Sequence, residues 1–377
     1  MNSLIIKQNG SVWGVGKKQF GQVRAGFDTQ FLTEFVKIFD SGVKAVAAGM
    51  GGHSIVLKQD GSVWTAGKNK YGQLGDGLDI DRSTFATVIP NGAKAVAAGS
   101  KHSLVVKEDG NVMVTGCNMY GQLGESSVSA TKDFLMVSYL SKVLATGAAA
   151  VSAGVDHSMV LGQDGSVWTA GANYFGQLGD GSTISKHSFV QVLSTDGKAV
   201  AAGGYHSVVL KKDGTVWTMG DNKHGQLGDG SVTLKHSVHP ISVSTGSSAK
   251  AIAAGLFHTM IMHEDGSVYA AGANHRGQLG DDLLARSDKE QDRSFVSVIT
   301  SGVKAVAAGH FHSMILKRDG SFWSAGASSA GQLGDGSRIA KNVFVRAAQG
   351  SNHGVCWVQR VCSMDRVVLV FARARVV

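Results

Sequence analysis

Short apolar runs separated by glycine-containing turns recur along this chain, and one complete unit begins at residue 43. Four runs in that unit have the composition of short β-strands: Ala45 to Gly49, Ser54 to Lys58, Ser62 to Ala66 and Phe85 to Ile89. Asp60-Gly61 separates the second run from the third. This dipeptide favours a tight hairpin, because a type I′ turn requires positive φ at both central residues. Since no run has the length and period of a helix, the pattern predicts four short antiparallel strands per unit.

The dipeptide Gly-Gln marks seven copies of this unit, at intervals of 49 to 55 residues: Gly21-Gln22, Gly72-Gln73, Gly121-Gln122, Gly176-Gln177, Gly225-Gln226, Gly277-Gln278 and Gly331-Gln332. Units of this length suit propeller blades, whose radial stacking buries sheet faces and protects sheet edges. The sequence therefore predicts an all-β fold, a seven-bladed β-propeller of four-stranded antiparallel blades within residues 1–350. Tryptophan recurs at one position of the unit, which predicts packing between neighbouring blades: Trp13, Trp64, Trp168, Trp217 and Trp323.

Both ends of the chain depart from the repeat. Ser3 to Ile6 corresponds to the strand after a repeated histidine, so the first blade lacks its small-residue strand, which we expect the C-terminus to supply. Residues 351–377 form a divergent tail, in which Val361 to Ser363 or Val367 to Phe371 could be that closing strand. Alternatively the tail is unrelated to the propeller, or its arginines contact a membrane or nucleic acid.

Composition narrows the class of protein. The 51 glycines and 2 prolines among 377 residues fit many tight turns, and 43% apolar residues support a large core. A net charge of +8 suits nucleic acid or chromatin, and equally an ordinary mildly basic protein. Three cysteines argue against a disulfide framework or four-ligand zinc site and favour a reducing compartment. No secretory signal or membrane-spanning run is visible, so we expect an intracellular protein, cytoplasmic or nuclear.

A column of histidines raises the question of a metal site: His53, His102, His157, His206, His258 and His312. Each lies in a different unit, without an acid, cysteine or second histidine at ligand spacing. The Ser or Thr that follows each histidine favours a structural role, with local hydrogen bonds that pin a turn. The Gly-Gln-Leu-Gly-Asp-Gly loop superficially resembles a phosphate cradle, but no helix follows it. Because no catalytic set interrupts the repeats either, we expect no metal, no cofactor and no enzyme activity.

Four motifs together resemble the regulator of chromosome condensation repeat family over roughly residues 2 to 337: Ala-Gly-x-x-His-Ser, the Asp-Gly turn, Val-Trp-x-x-Gly and Gly-Gln-Leu-Gly-Asp-Gly. The resemblance implies a seven-bladed propeller. It leaves function open, since the family includes an exchange factor for a Ran-type GTPase, a UV-B photoreceptor, a β-lactamase inhibitor and propellers of ubiquitin ligases. The absence of tryptophan just before the repeated histidines argues against UV sensing. No wedge insertion or basic N-terminal tail like those of the exchange factor is evident.

Two sets of residues are candidates for partner binding. Lysines before the small-residue strand should form a basic ring, suited to an acidic partner, DNA or chromatin, or merely to solvated strand ends that resist edge pairing. They are Lys44, Lys94, Lys198, Lys250 and Lys304. The second set belongs to the two most divergent loops, residues 125–147 and 281–294. It comprises Phe134, Tyr139, Asp281, Asp282 and Asp288.

The sequence therefore favours a non-catalytic scaffold, a monomer that binds a protein partner through one propeller face and its variable loops. Two alternatives remain open at this stage. One is guanine-nucleotide exchange on a small Ran-type GTPase, for which no singular loop or acidic feature stands out. The other is chromatin binding, which rests only on the positive charge balance.

Overall fold

The computed structural model describes residues 2–23, 30–125, 136–145, 147–241, 248–282 and 292–347, with two short strands at 355–356 and 362–363. Within these residues the strands form seven separate antiparallel sheets. The described part of the chain contains no helix, and hence none long and apolar enough to span a membrane. The predicted all-β, seven-bladed propeller is thereby confirmed.

The blades follow one another along the chain. Blade 1 contains β1 (Asn2–Lys7), β2 (Val12–Lys17) and β3 (Phe31–Phe39); blade 2 contains β4 (Val43–Ala48), β5 (His53–Lys58), β6 (Val63–Gly67) and β7 (Arg82–Ile89). Blade 3 contains β8 (Ala93–Ala98), β9 (His102–Lys107), β10 (Asn111–Cys117) and β11 (Met136–Ala145); blade 4 contains β12 (Ala148–Ala153), β13 (His157–Gly162), β14 (Val167–Gly171) and β15 (Lys186–Leu193).

The remaining blades repeat this arrangement. Blade 5 contains β16 (Gly197–Ala202), β17 (His206–Lys211), β18 (Val216–Gly220) and β19 (Lys235–Ile241). Blade 6 contains β20 (Ala249–Ala254), β21 (His258–His263), β22 (Val268–Gly272) and β23 (Asp292–Ile299). Blade 7 contains β24 (Val303–Ala308), β25 (His312–Lys317), β26 (Phe322–Gly326) and β27 (Lys341–Arg346).

The small-residue strand is the innermost strand of its blade. In successive blades these strands (β4, β8, β12, β16, β20 and β24) contact one another, as expected for strands gathered around a common axis. Their alanines are almost fully buried, because seven strands that converge on an axis leave room for short side chains alone. In blade 1 the inner position beside β1 is taken by β28 (Val355–Cys356).

The C-terminal tail therefore reaches blade 1 earlier than the sequence indicated. Val355 pairs with Lys7 and Cys356 with Ile6, whereas β29 (Cys362–Ser363) pairs with β16 of blade 5. The sequence predicted Val361 to Ser363 as one of two possible closing strands of blade 1. Cys362 and Ser363 instead pair with blade 5, so this prediction is wrong. The other candidate, Val367 to Phe371, lies outside the described residues.

The hydrophobic core consists of separate clusters, each shared by two neighbouring blades. One cluster joins Leu104 and Val114 of blade 3 to Val151 and Val160 of blade 4, and Trp168 packs against it. Trp64, Trp217 and Trp323 pack against equivalent clusters. The prediction that the tryptophan column packs between blades is confirmed.

The propeller has two circular faces that differ in the loops they carry. Asp-Gly turns and the connections between blades lie on one face, which we call the Asp-Gly face. On this face Ala93 N–H of blade 3 donates to Gly61 O of blade 2. The loop before each histidine and the loop with Gly-Gln lie on the opposite face, the Gly-Gln face. Lys68 N–H donates to Gly52 O at that end, which places the two loops side by side.

Candidate functional site

A ring of buried hydrogen bonds underlies the Gly-Gln face and links each blade to the next. Each histidine lies with Nε2 2.9–3.1 Å from a hydroxyl of the following blade. The pairs are His53–Ser103, His102–Ser158, His157–Ser207, His206–Thr259, His258–Ser313 and His312–Ser3. Asn2 completes the ring in blade 1, since its Nδ2 donates to Ser54 Oγ at 3.3 Å. The sequence predicted local hydrogen bonds at this position, and the structure shows bonds between blades.

The direction of these bonds follows from the second bond of each hydroxyl. Ser103, for example, donates its one proton to the backbone carbonyl of Gln73 at 2.6 Å. Each of the other five hydroxyls paired with histidines likewise donates to the backbone carbonyl of the Gly-Gln glutamine in the preceding blade. The histidine must therefore be the donor, through Nε2–H. Burial lowers the pKa of His206, His258 and His312 to about 3, so these rings are neutral at physiological pH.

The Gly-Gln-Leu-Gly-Asp-Gly loops also have architectural roles. A Cβ on Gly121 would overlap the backbone of Lys186 and His187 in blade 4, so this glycine permits direct contact between blades. The loop aspartate pairs with a basic residue six positions later in four blades: Asp76–Arg82 at 2.7 Å, Asp180–Lys186 and Asp229–Lys235 at 3.3 Å, and Asp335–Lys341 at 3.6 Å. These ion pairs engage the basic side chains near the loop, and the loop carboxylates themselves would repel a phosphate.

Singular side chains appear instead in two columns on the Gly-Gln face. The first column directly precedes the histidines: Gly52, Lys101, Asp156, Tyr205, Phe257 and Phe311. The second follows the glycine at the end of the strand that leads to the Gly-Gln loop: Lys17, Lys68, Cys117, Ala172, Asp221, Ala273 and Ala327. From blade 2 to blade 7 the same backbone hydrogen bond joins the two columns. The backbone is therefore constant while the side chains change from cation to anion to aromatic ring.

Aromatic side chains recur in every blade from 3 to 7, and we call this series the aromatic arc. Its contacts cross every blade boundary in that range. Ring centroids lie 5.7 Å apart for Tyr120–Tyr174, 5.5 Å for Phe175–Tyr205, 4.9 Å for His224–Phe257, 6.1 Å for Phe257–Phe311 and 5.5 Å for His275–Phe311. Tyr174 is 60% exposed. Aromatic rings that remain partly exposed on a rigid frame are typical of protein-binding surfaces.

Charged groups flank the aromatic arc. Asp156 lies among Lys101, Tyr205 and Gln122, whose Nε2 is 3.4 Å from the carboxylate. Burial raises the pKa of Asp156, and the charge of Lys101 opposes this effect. Burial also raises the pKa of Tyr205, and the negative charge of Asp156 raises it further. Asp221 is buried and bonded to Gln226 Nε2 at 2.9 Å.

The predicted lysine ring lies on the other face. Lys44, Lys94, Lys198, Lys250 and Lys304 occupy the second position of their strands, at the Asp-Gly end. Part of their charge is compensated, because Lys44 Nζ is 4.0 Å from Glu108 and Lys250 Nζ is 2.9 Å from Glu264. The structure thus separates these lysines from the variable columns of the Gly-Gln face.

Of the predicted loop candidates, Asp281 and Asp282 fall on described side chains. Asp281 is the repeat aspartate of blade 6, half-buried and bonded to Asn274 Nδ2 at 2.8 Å. Asp282 is exposed and accepts from Asn342 Nδ2 at 3.2 Å. Phe134 and Asp288 lie outside the described residues, and Tyr139 is described only as part of β11. Asp281 thus bonds within its own loop, and the prediction that it contacts a partner stays a prediction.

Sequence reasoning missed the aromatic arc although the signal was present. Aligned on the histidines, the preceding position changes from Lys101 to Asp156 to Tyr205 in three units, whereas the Ala-Gly before it and the His-Ser after it stay the same. A position that varies inside an otherwise constant motif is where a repeat protein carries its specificity. The signal that identifies these residues is departure from the repeat.

Comparisons with known proteins agree with the fold. The model of the RCC1-like domain family matches residues 83–372, and the RCC1 repeat model matches residues 43–73. The chain is 33% identical to human probable E3 ubiquitin-protein ligase HERC3 over 298 residues, which are 79% of this chain and 23% of that protein. It is 29% identical to the Arabidopsis thaliana ultraviolet-B receptor UVR8 over 50% of this chain and 43% of that one. The chain thus spans less than half the length of these relatives.

Two solved structures have closely similar folds. Prp20p from Saccharomyces cerevisiae, whose crystal structure was described together with its binding to Gsp1p and histones, superposes with a TM-score of 0.78. The match has 20% identity and covers 92% of this chain and 88% of Prp20p. Human WBSCR16 gives a TM-score of 0.77 at 21% identity, with 90% and 93% covered. At these identities the likeness establishes the fold, and function has to be argued from the site.

Proposed function

Since the chain belongs to the RCC1-like domain family, we propose that it is a non-catalytic scaffold that binds a protein partner through its Gly-Gln face. The proposal places the contact on the variable columns and the aromatic arc. We expect the scaffold to act in the cytoplasm or nucleus. The match to HERC3 covers 23% of that ligase, so a ligase activity is not part of the proposal.

The observation that carries the proposal is the contrast between constant backbone and changing side chains on this face. Lys101, Asp156 and Tyr205 follow the same backbone course in three successive blades, yet differ in charge and polarity. Architecture alone would favour one side chain at all of these positions, as it does for the buried histidines. Side chains of this variety, partly exposed and held by a rigid ring, give a surface that one specific partner can recognise.

Exchange on a Ran-type GTPase is the second candidate function. Its support is the fold shared with Prp20p, which binds Gsp1p and histones, and the same likeness supports chromatin as a partner class. Both candidates use a protein–protein interface, so a single binding experiment separates them from the general scaffold. Identification of the bound partner decides which of the three applies.

The test is affinity capture from native lysate with paired variants of the full chain. Tyr174→Ala combined with Met119→Ala removes two side chains that are 60% and 43% exposed on the Gly-Gln face. Gln59→Ala combined with Gln163→Ala removes two exposed side chains from the Asp-Gly face and serves as the control. We expect the first pair to lose the partner and the control to retain it, because exposed substitutions leave the fold intact.

The bound protein is then identified by mass spectrometry at low and moderate salt. A small GTPase would lead to a nucleotide-release assay, in which acceleration would establish exchange. Histones retained at moderate salt would establish the chromatin candidate. Equal loss of the partner from both variant pairs, or retention by both, would contradict a binding site on the Gly-Gln face.

A further inference from the structure

Four lysines gather on one sector of the Gly-Gln face, where blades 1, 2 and 3 meet. Lys17 and Lys68 both approach the ring of Phe20, with Nζ 5.7 and 5.6 Å from its centroid. Lys101 Nζ lies 5.0 Å from the ring centroid of Tyr71. Lys70, the fourth, is exposed in the loop that precedes Tyr71. We call Lys17, Lys68, Lys70 and Lys101 with the two rings the lysine patch.

Most of the positive charge of this patch has no close counterion among the described residues, although the charge of Lys101 acts on Asp156. Within the described part of the chain, none of the patch's four ammonium groups forms an ion pair with a carboxylate. On the Asp-Gly face, by contrast, Lys44 and Lys250 have glutamate partners. Four like charges gathered on one sector outnumber the single carboxylate of Asp156 and produce a positive local potential. Such a surface attracts a negatively charged ligand and increases its rate of encounter.

The borders of the lysine patch indicate which kind of anion fits. Moving around the ring from Lys101, the next side chains in the two variable columns that carry charge are Asp156 and Asp221. A uniform polyanion such as single-stranded nucleic acid, laid along the aromatic arc, would meet the half-buried carboxylate of Asp156 and no further cation in the two columns, whereas such a ligand needs a positively charged groove along its backbone. A protein segment can be acidic over the lysines and neutral or apolar over the arc. The charge order therefore favours a protein ligand.

We propose that the lysine patch receives an acidic segment of the partner protein, rich in Asp and Glu, while the adjoining part of that partner lies on the aromatic arc. This inference rests on the proposed function, since it names the chemistry of the partner that the scaffold binds. The rings of Phe20 and Tyr71 hold the ammonium groups in place by cation–π contact, so the lysines are positioned before the ligand arrives.

The test measures binding of two fluorescent probes to the full chain by anisotropy: a peptide of repeating Asp-Glu-Ser units and an oligothymidylate of equal charge. Lys68→Gln combined with Lys101→Gln neutralises half of the patch. Lys94→Gln combined with Lys198→Gln is the matched control, because it removes the same charge from half-buried lysines of the Asp-Gly face. Lys68→Arg combined with Lys101→Arg keeps the charge. Thermal unfolding confirms that each variant is folded.

We expect the peptide to bind the native chain at about 50 mM salt and to weaken toward 200 mM. The patch variant should bind it roughly tenfold more weakly, as expected for two exposed ion pairs. The control and the arginine variant should stay within about twofold, and the oligothymidylate should bind more weakly than the peptide. Equal losses in patch and control variants, preference for the oligothymidylate, or no peptide binding at low salt would overturn the proposal.

Failure of this inference is distinguishable from failure of the scaffold proposal. If the Lys68/Lys101 variant still captures the lysate partner while the Tyr174/Met119 variant does not, the Gly-Gln face binds a protein whose contacting segment is not acidic. That result would overturn the acidic segment and leave the scaffold. If peptide binding is lost as expected but the Tyr174/Met119 variant keeps its partner, the scaffold interface proposed above is wrong and the lysine patch stands by itself.

Discussion

The Gly-Gln face and the Asp-Gly face are opposite ends of the same strands, repeated by the same rotation. On the Asp-Gly face the repetition includes the side chains: in all seven blades the turn residue accepts a hydrogen bond, at 2.8–3.0 Å, from the N–H two positions later. On the Gly-Gln face the buried side chains repeat as well, since the loop glutamine Oε1 accepts from the N–H two positions earlier in all seven blades, but the two variable columns do not. The buried His–hydroxyl ring is uniform, and the side chains above it differ from blade to blade.

This difference shows how one repeat can serve both stability and recognition. Residues that bond to the next blade, such as His206 to Thr259, have to suit a neighbour that is itself a copy, so they are held constant. Residues that remain exposed at the same loops, such as Tyr174, are not fixed by a buried bond to the next blade and can differ from blade to blade. Constancy therefore marks the architecture and departure from it marks the binding surface.

The largest effect that would test this comparison is expected at Gly121. A Cβ there would overlap the backbone of Lys186 and His187, and φ is +83°, so Gly121→Ala should destabilise the protein by about 3–5 kcal/mol or prevent folding. Gly42→Ala on the Asp-Gly face is the control, with φ of +73° and nothing within 4 Å of the new Cβ. It should cost only about 1–2 kcal/mol, from the left-handed backbone. Urea unfolding measures both, and equal losses would mean that contact between blades at Gly121 is dispensable.

Acid sensitivity is the next effect, and it isolates the buried ring. The pKa of His206 is about 3 in the folded protein and near 6.5 when the chain is unfolded, so the unfolded state binds the proton first as the pH falls. The contribution of the neutral histidine to the free energy of unfolding is fully present above about pH 6.5. It is lost as the pH falls toward 3, by up to about 1.4 kcal/mol per pH unit for each such histidine.

His206→Asn should therefore flatten the dependence of the unfolding free energy on pH between 6 and 4, by up to that same slope. Asparagine is the appropriate replacement, since Asn2 holds this place in blade 1 and donates to Ser54. At pH 7 the variant should lose about 1 kcal/mol, the value of one hydrogen bond. His187→Asn, at an exposed position, should leave the pH profile unchanged. An unaltered slope in the His206 variant would show that this ring is not what makes the protein acid-labile.

Most of the fold could be predicted from the sequence because its signals are local. Asp60-Gly61 specifies a turn and Trp64 a packed position within one unit, and seven copies multiply the signal. The His53–Ser103 bond could not be predicted in the same way, because its partners lie 50 residues apart and a single motif shows only the local neighbour. The approach of Lys17 and Lys68 to one ring likewise depends on how blades 1 and 2 are rotated against each other.

The smallest effect distinguishes the lysines of the two faces. Lys44 Nζ lies 4.0 Å from Glu108, with side chains 28% and 63% exposed, so a double-mutant cycle of Lys44→Met and Glu108→Gln should give a coupling of about 0.5 kcal/mol or less that vanishes in high salt. Lys68→Met, on the Gly-Gln face, should show no salt-dependent loss of stability. Among the described residues Lys68 forms no ion pair with a carboxylate, and its Nζ shares the ring of Phe20 with that of Lys17. If Lys68→Met destabilises the protein as much as Lys44→Met, and with the same dependence on salt, the lysines of the two faces are equivalent surface charges. The difference in their ion pairing would then carry no information about binding.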